Sequence, residues 1–165
     1  MATVGNLDEF VEKARVDCSN MDGAYPAINV FNDDDAELRS DKETDHQLLL
    51  KVEFRQPVKL SHVRIVAPND EESAPTAVKL FQGKPNIGFQ EAEEEASSQD
   101  LALQPNETLG GEKVPLKFVK FQSVQNVQLF FQENGGGAVT RVKKVEFFGQ
   151  PAASMDMKDW KPVKG

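Results

Sequence analysis

The sequence predicts an all-β domain, an antiparallel sandwich or barrel preceded by one short helix. Three observations predict it. In Gln47–Phe54, Leu48, Leu50, Val52 and Phe54 share one face while Gln47, Leu49, Lys51 and Glu53 share the other, the period-two pattern of a half-buried strand. The C-terminal half carries Val- and Phe-rich runs at Leu116–Phe121, Val127–Gln132 and Val139–Phe148. Ser123-Val124-Gln125-Asn126 and Asn134-Gly135-Gly136-Gly137 lie between them, and Gly and Asn accept the positive φ that turns require. No long helical period alternates with these runs, which favours antiparallel pairing over a parallel α/β sheet.

The elements follow in chain order. In "NLDEFVEKARV", Leu7, Phe10, Val11 and Ala14 recur at helical spacing, Asn6 can cap, and Asp8 and Glu9 occupy the first turn, so a short helix is expected within residues 1–17. From Cys18 to Asp45 the chain is polar, with Gly23, Pro26 and Asp33-Asp34-Asp35; a loop with one short strand at Ala27–Phe31 is expected. Pro57 is expected to break the Gln47–Phe54 strand. Beyond it, Val58 and Leu60 are in phase but Val63 and Ile65 are in the opposite phase. A slip at Ser61-His62 predicts a bulge or a strand that changes sheets. Ala77–Phe81 predicts a short strand with Val78 and Leu80 inward. Residues 83–111 form a long acidic stretch that reads as loop, with Leu101 and Leu103 marking a brief strand. The pattern stops after Gly149. Residues 151–165, with two prolines, mixed charge and the single tryptophan, read as a tail outside a sandwich spanning residues 18–150.

The totals narrow the function classes. The 165 residues suit one domain, long enough to bury a core without covalent staples. The net charge of −8, from 27 acids and 19 bases, argues against nucleic acid and against anionic membrane surfaces. One cysteine cannot form an internal disulfide, and a lone thiol fits a reducing compartment. The N-terminus shows no basic region followed by an apolar stretch, so no signal peptide is expected. Asn106-Glu107-Thr108 matches a glycosylation sequon that would matter only in a secreted chain.

The candidate chemical groups are few. Asp45 and His46 could form an oriented general base. Neighbours on a strand point to opposite faces, however, and no serine or cysteine motif stands beside them, so a polar entry to the strand is the favoured reading. Cys18 lacks any nucleophile signature or dithiol partner and reads as a small buried hydrophobe. One cysteine and two histidines do not supply the four N/S ligands of a zinc site. Asp33-Asp34-Asp35 lacks the EF-hand spacing, and Glu91–Glu95 reads as an exposed, self-repelling segment. "NGGGAVT" lacks the Lys-Ser or Lys-Thr and the helix of a phosphate loop, so a hairpin turn is expected. Sugar sites stack rings on aromatic side chains, but this chain has one Trp and one Tyr, and most of its eleven Phe fall at inward positions, which is core behaviour. Trp160 sits among Met155, Met157 and Lys161-Pro162. It reads equally as an interface anchor or as a side chain folded back on the sandwich.

Several pieces together resemble the PITH domain, the proteasome-interacting C-terminal module of thioredoxin-like proteins. They are "DHQLLLKVEF" with "QPVKL", "PTAVKLFQGKPNIGFQEAEE", "VPLKFVKFQSVQNVQLFFQEN", "TRVKKVEFFGQP" and "MDMKDWKPVKG". His46 stands where the family usually has glutamate, which weakens a catalytic role for that position. The resemblance implies a jelly-roll sandwich similar to galactose-binding domains, no enzymatic activity and no cofactor. It also implies association of a monomer with the proteasome regulatory particle in cytosol and nucleus. The thioredoxin half is absent from this sequence. On that basis Met155, Met157 and Trp160 would be apolar anchors, and Lys158, Lys161 and Lys164 would steer toward an acidic partner. A carbohydrate- or small-ligand-binding domain is the alternative.

Overall fold

The computed structural model describes residues 5–32 and 34–152. Its strands are β1 (Gly5–Asn6), β2 (Asp17–Ser19), β3 (Leu38–Arg39), β4 (Leu48–Val66), β5 (Pro75–Gln82), β6 (Gln99–Ala102), β7 (Val114–Pro115), β8 (Val124–Asn134), β9 (Arg141–Val142) and β10 (Lys144–Pro151). Two short helices, α1 (Phe89–Glu94) and α2 (Pro105–Thr108), and several 3-10 turns connect them. Every strand pairing is antiparallel.

The 19-residue β4 organises the molecule. Its first half pairs with β8 on one side and β2 on the other. Its second half pairs with β10 and β7. One layer therefore runs β6-β5-β8-β4-β2 and the other β1-β10-β4-β7, joined through the shared strand. The expected bulge is present: the β10 register steps from Phe148 opposite His62 to Gly149 opposite Leu60, leaving Ser61 unpaired. That extra residue inverts the side-chain phase, so Leu60, Val63 and Ile65 all reach the core. Pro57 does not end the strand. The register against β8 shifts between Glu53 and Val58, and this irregular stretch tolerates a residue without an N–H donor.

The core joins Leu48, Leu50, Val52 and Phe54 of β4 to Leu129 and Phe131 of β8 and Phe147 of β10. Phe54 and Phe147 meet edge to face at 5.5 Å. A second, smaller cluster lies on the outer face. Leu49, expected on a polar face, is fully buried with Phe81, Phe130, Ile87 and Ala92. The acidic segment expected to be solvated loop contains α1, which lays Ala92 and Phe89 over this cluster. Helix formation follows from local chemistry: the Glu91 carboxylate accepts from the Gly88 N–H at 3.2 Å, capping the first turn.

Three other segments differ from expectation. Residues 8–10 and 13–15 form two 3-10 turns instead of one helix. Leu7 N–H bonds Phe147 O and Glu12 N–H bonds Glu53 O, both at 2.8 Å. These long-range bonds hold the backbone extended between the turns and seat Leu7 and Val11 in the core. Leu7, not Asn6, holds the cap position of the first turn, and the Asn6 side chain accepts from the Asp8 N–H at 2.8 Å in an Asx-type bond. Ala27–Phe31 is a 3-10 helix, not a strand, with Ala27, Val30 and Phe31 turned inward. The 116–121 run is also not a strand. Leu116 and Phe121 are buried, while Phe118–Lys120 form a 3-10 turn between them.

Candidate functional site

The acid–histidine stretch is architecture. The Asp45 carboxylate accepts from the Gln47 N–H at 2.9 Å and from Asn20 Nδ2 at 2.9 Å. Asn20, held at φ 71°, also donates from Nδ2 to the Gln47 carbonyl at 2.7 Å. His46 turns elsewhere: its Nε2 lies 3.1 Å from the Gln132 carbonyl, which can only accept, so Nε2 carries the proton. The His46 carbonyl accepts from the buried Thr140 hydroxyl at 2.6 Å. These bonds satisfy backbone groups where β4 enters the sheet, as the sequence suggested.

The other reactive side chains are similarly occupied. Cys18 is buried on β2, and burial pushes its thiol up to about 12. A thiol held protonated is a poor nucleophile. His62 and Ser61 are neighbours, with Nδ1 3.0 Å from Oγ. The serine hydroxyl donates to the Phe148 carbonyl at 3.1 Å. His62 Nδ1 must then donate to Oγ, so the imidazole cannot take the serine proton. Burial, with the nearby Lys113 charge, holds His62 below its ordinary value. His46 precedes β4, whereas His62 lies in its second half beside the bulge.

Several of the described acids are likewise engaged. Asp34 accepts from the Ala36 N–H at 3.1 Å, and Asp35 pairs with Lys143 at 3.1 Å. Glu93 accepts from Gln47 Nε2 at 2.8 Å and Gln132 Nε2 at 3.1 Å, pinning α1 to the sandwich rim. Lys84 pairs with Glu95. Among the described residues no group of three or more His, Cys, Asp or Glu side chains is placed to hold a metal ion. The buried Glu37 accepts from Arg141 Nε at 2.7 Å and Nη2 at 3.1 Å, and from Arg39 Nε. Burial opposes ionisation of Glu37, but the two guanidinium groups more than offset it and hold the carboxyl below its usual range. The Arg39 guanidinium covers the Tyr25 ring at 3.9 Å, so the sole tyrosine is already stacked.

The surface offers one feature that the sequence reading missed. Among the described residues, Phe118 and Val119 are the exposed large hydrophobic side chains, at 48% and 82% of their full accessible area. The sequence pattern places them in a strand at Leu116–Phe121. The warning lay in the alternation itself: "LKFVKF" puts a lysine among the apolar residues on each face, which no half-buried strand explains. The residues first expected to bind a partner, Met155, Met157, Lys158, Trp160 and Lys161, lie outside the described residues.

The architecture defines a jelly-roll sandwich of the galactose-binding-like kind. The family 32 carbohydrate-binding module of Clostridium perfringens NanJ, solved with galactose, superposes with a TM-score of 0.63 at 10% identity, covering 88% of this chain and 99% of that one. A further family 32 module, from a family 31 glycoside hydrolase of the same organism, gives 0.63 at 13% identity, covering 87% and 97%. At such identities the likeness is one of fold. The sequence places the chain more narrowly: the PITH domain model matches residues 1–165, and the chain belongs to the PITH domain family. It is 28% identical over 154 residues to Thioredoxin-like protein 1 of Schizosaccharomyces pombe, covering 88% of this chain and 51% of that protein. It is 30% identical over 111 residues to the PITH domain-containing protein CG6153 of Drosophila melanogaster, covering 67% and 51%. The chain thus spans about half the length of the curated relatives it matches.

Proposed function

We propose that the chain is a non-enzymatic protein-binding module of the ubiquitin–proteasome system that docks, as a monomer, on the proteasome regulatory particle in cytosol and nucleus. Membership of the PITH domain family carries this reading. The side-chain chemistry supports it: among the described residues the thiol is buried, His46 bonds the Gln132 carbonyl, His62 bonds the Ser61 hydroxyl, and Glu93 accepts from two glutamines. Function then resides in exterior contact. The tail contributes Met155, Met157 and Trp160 as anchors and Lys158, Lys161 and Lys164 as steering charges. Carbohydrate binding is the less favoured reading: among the described residues the one tyrosine ring lies under Arg39.

The test is affinity purification of the tagged chain from cells, with the captured proteins identified. Regulatory-particle subunits in constant ratio are the expected result; their absence sinks the reading. Deleting Ser154–Gly165 should lower recovery, and unchanged recovery removes the tail from the contact surface.

A further inference from the structure

The Phe118–Val119 turn is built to hold its apolar side chains outward. Its flanks are fixed in the core by Leu116 and Phe121. The Leu116 N–H bonds Ser61 O at 2.8 Å, and the Leu60 N–H bonds Phe121 O at 2.9 Å. The Gln99 side chain clamps the entry, accepting from the Lys117 N–H at 2.6 Å and donating to Pro115 O at 3.3 Å. Gln122 closes the exit by donating to Phe118 O at 2.9 Å. Apolar side chains on a rigid backbone lose little entropy on binding, which is the condition for an interface anchor.

Two further observations say what covers the turn. Lys117 and Lys120 flank the apolar pair and are exposed, and neither makes a salt bridge among the described residues. In a chain of net charge −8 this is a locally basic, apolar-tipped knob. It also stands beside the place where the tail departs. Val58 of β4 faces Pro151 on one side and Val124 on the other, and Ala152 N–H bonds Pro57 O at 3.0 Å. Two strand spacings put Pro151 about 10 Å from Val124, just beyond the turn. The tail that begins there carries Lys158, Lys161 and Lys164 against Asp156 and Asp159, a small positive excess of the same sign.

We infer that the Lys117–Lys120 turn is a second contact element for the same partner as the tail, its Phe118 and Val119 entering an apolar pocket rimmed by acidic side chains. This rests on the proposed docking to the regulatory particle and names which part of the described surface takes part. A phospholipid surface is the lesser fit, because the overall charge repels anionic headgroups.

Binding of the full chain to purified regulatory particle is measured by biolayer interferometry for three forms: wild type, Phe118→Ser with Val119→Ser, and Lys117→Glu with Lys120→Glu. Circular dichroism melting confirms that each exposed substitution leaves the fold intact. The apolar variant should weaken affinity about tenfold or more. The charge-reversed variant should slow association and lose its salt dependence. Wild-type affinity in both variants overturns the inference while leaving the docking itself standing; failure of the wild-type chain to bind takes down both. Two controls identify a different occupant. Binding to phosphatidylserine–phosphatidylcholine vesicles, or self-association in sedimentation, abolished by Phe118→Ser with Val119→Ser while regulatory-particle binding is unchanged, also overturns it.

Discussion

Gly149 sits at the bulge that lets one strand serve both layers, and replacing it with alanine tests that geometry. A methyl group built on Gly149 would lie 1.8 Å from the Lys59 carbonyl oxygen, 2.9 Å from its carbon and 3.2 Å from Leu60 Cα. All three atoms are backbone of the paired strand, so none can swing away as a flexible side chain would. The methyl fits only if β10 separates from β4 near the Gly149–Leu60 pair. Overpacking of this kind costs ~1–3 kcal/mol, and each ladder hydrogen bond lost adds ~1 kcal/mol. A total of about 4 kcal/mol lowers the melting temperature of a chain this size by about 8–16 °C. Gly23→Ala is the control, since nothing lies within 4 Å of its added carbon and its φ is ordinary. Urea and thermal unfolding followed by far-ultraviolet circular dichroism read both variants. If Gly149→Ala falls within ~0.5 kcal/mol of Gly23→Ala, the size expected of an inconsequential substitution, the close-approach argument is wrong.

Other outcomes follow from the titratable groups. His62 is held below its ordinary value of 6.5 in the folded chain, so its contribution to stability is complete above that pH and declines as pH falls through the lower folded value. His62→Gln should remove that decline from a plot of unfolding free energy against pH. Glu37 is held below its ordinary value of 4.5, so its contribution is present above that pH and is lost as pH falls through the folded value. Glu37→Gln leaves Arg39 and Arg141 uncompensated, should cost about 1–2 kcal/mol at neutral pH after allowance for solvent screening of the guanidinium groups, and should flatten the acid limb of the same plot. Cys18, with its thiol raised to about 12, should resist iodoacetamide at pH 8 until denaturant is added; rapid labelling of the folded chain would contradict its burial. Cys18→Ser should leave partner capture unchanged.

The β-sandwich was legible because its strands obey period two where one face is buried. Even the phase slip at Ser61-His62 could be read, since a bulge leaves its mark directly in the alternation of Val58, Leu60, Val63 and Ile65. The misread segments are those in which tertiary contacts override local pattern. Leu7 and Val11 have helical spacing, but backbone bonds to Phe147 and Glu53 hold that segment in separate turns. The acidic run at 91–95 has the composition of solvated loop. Besides the local Gly88–Glu91 cap, what holds it as a helix is distant: the Leu49, Phe81 and Phe130 surface that Ala92 covers, and the glutamines that Glu93 accepts from. The role of Asp45 and His46 as a strand entry was legible from their adjacency alone, since neighbours on a strand cannot line one pocket. Phe118 and Val119 were hidden because exposure is not written in composition. Only the mixed faces of "LKFVKF" hinted that the segment leaves the sheet.

The most direct test of the account mixes the purified chain with purified proteasome regulatory particle and sediments the mixture through a glycerol gradient at physiological salt. Co-migration of the chain with the particle, in fixed proportion, is the predicted result. A chain that stays at the top of the gradient, whatever the concentration of particle, contradicts the claim that this sandwich works by what its exterior holds.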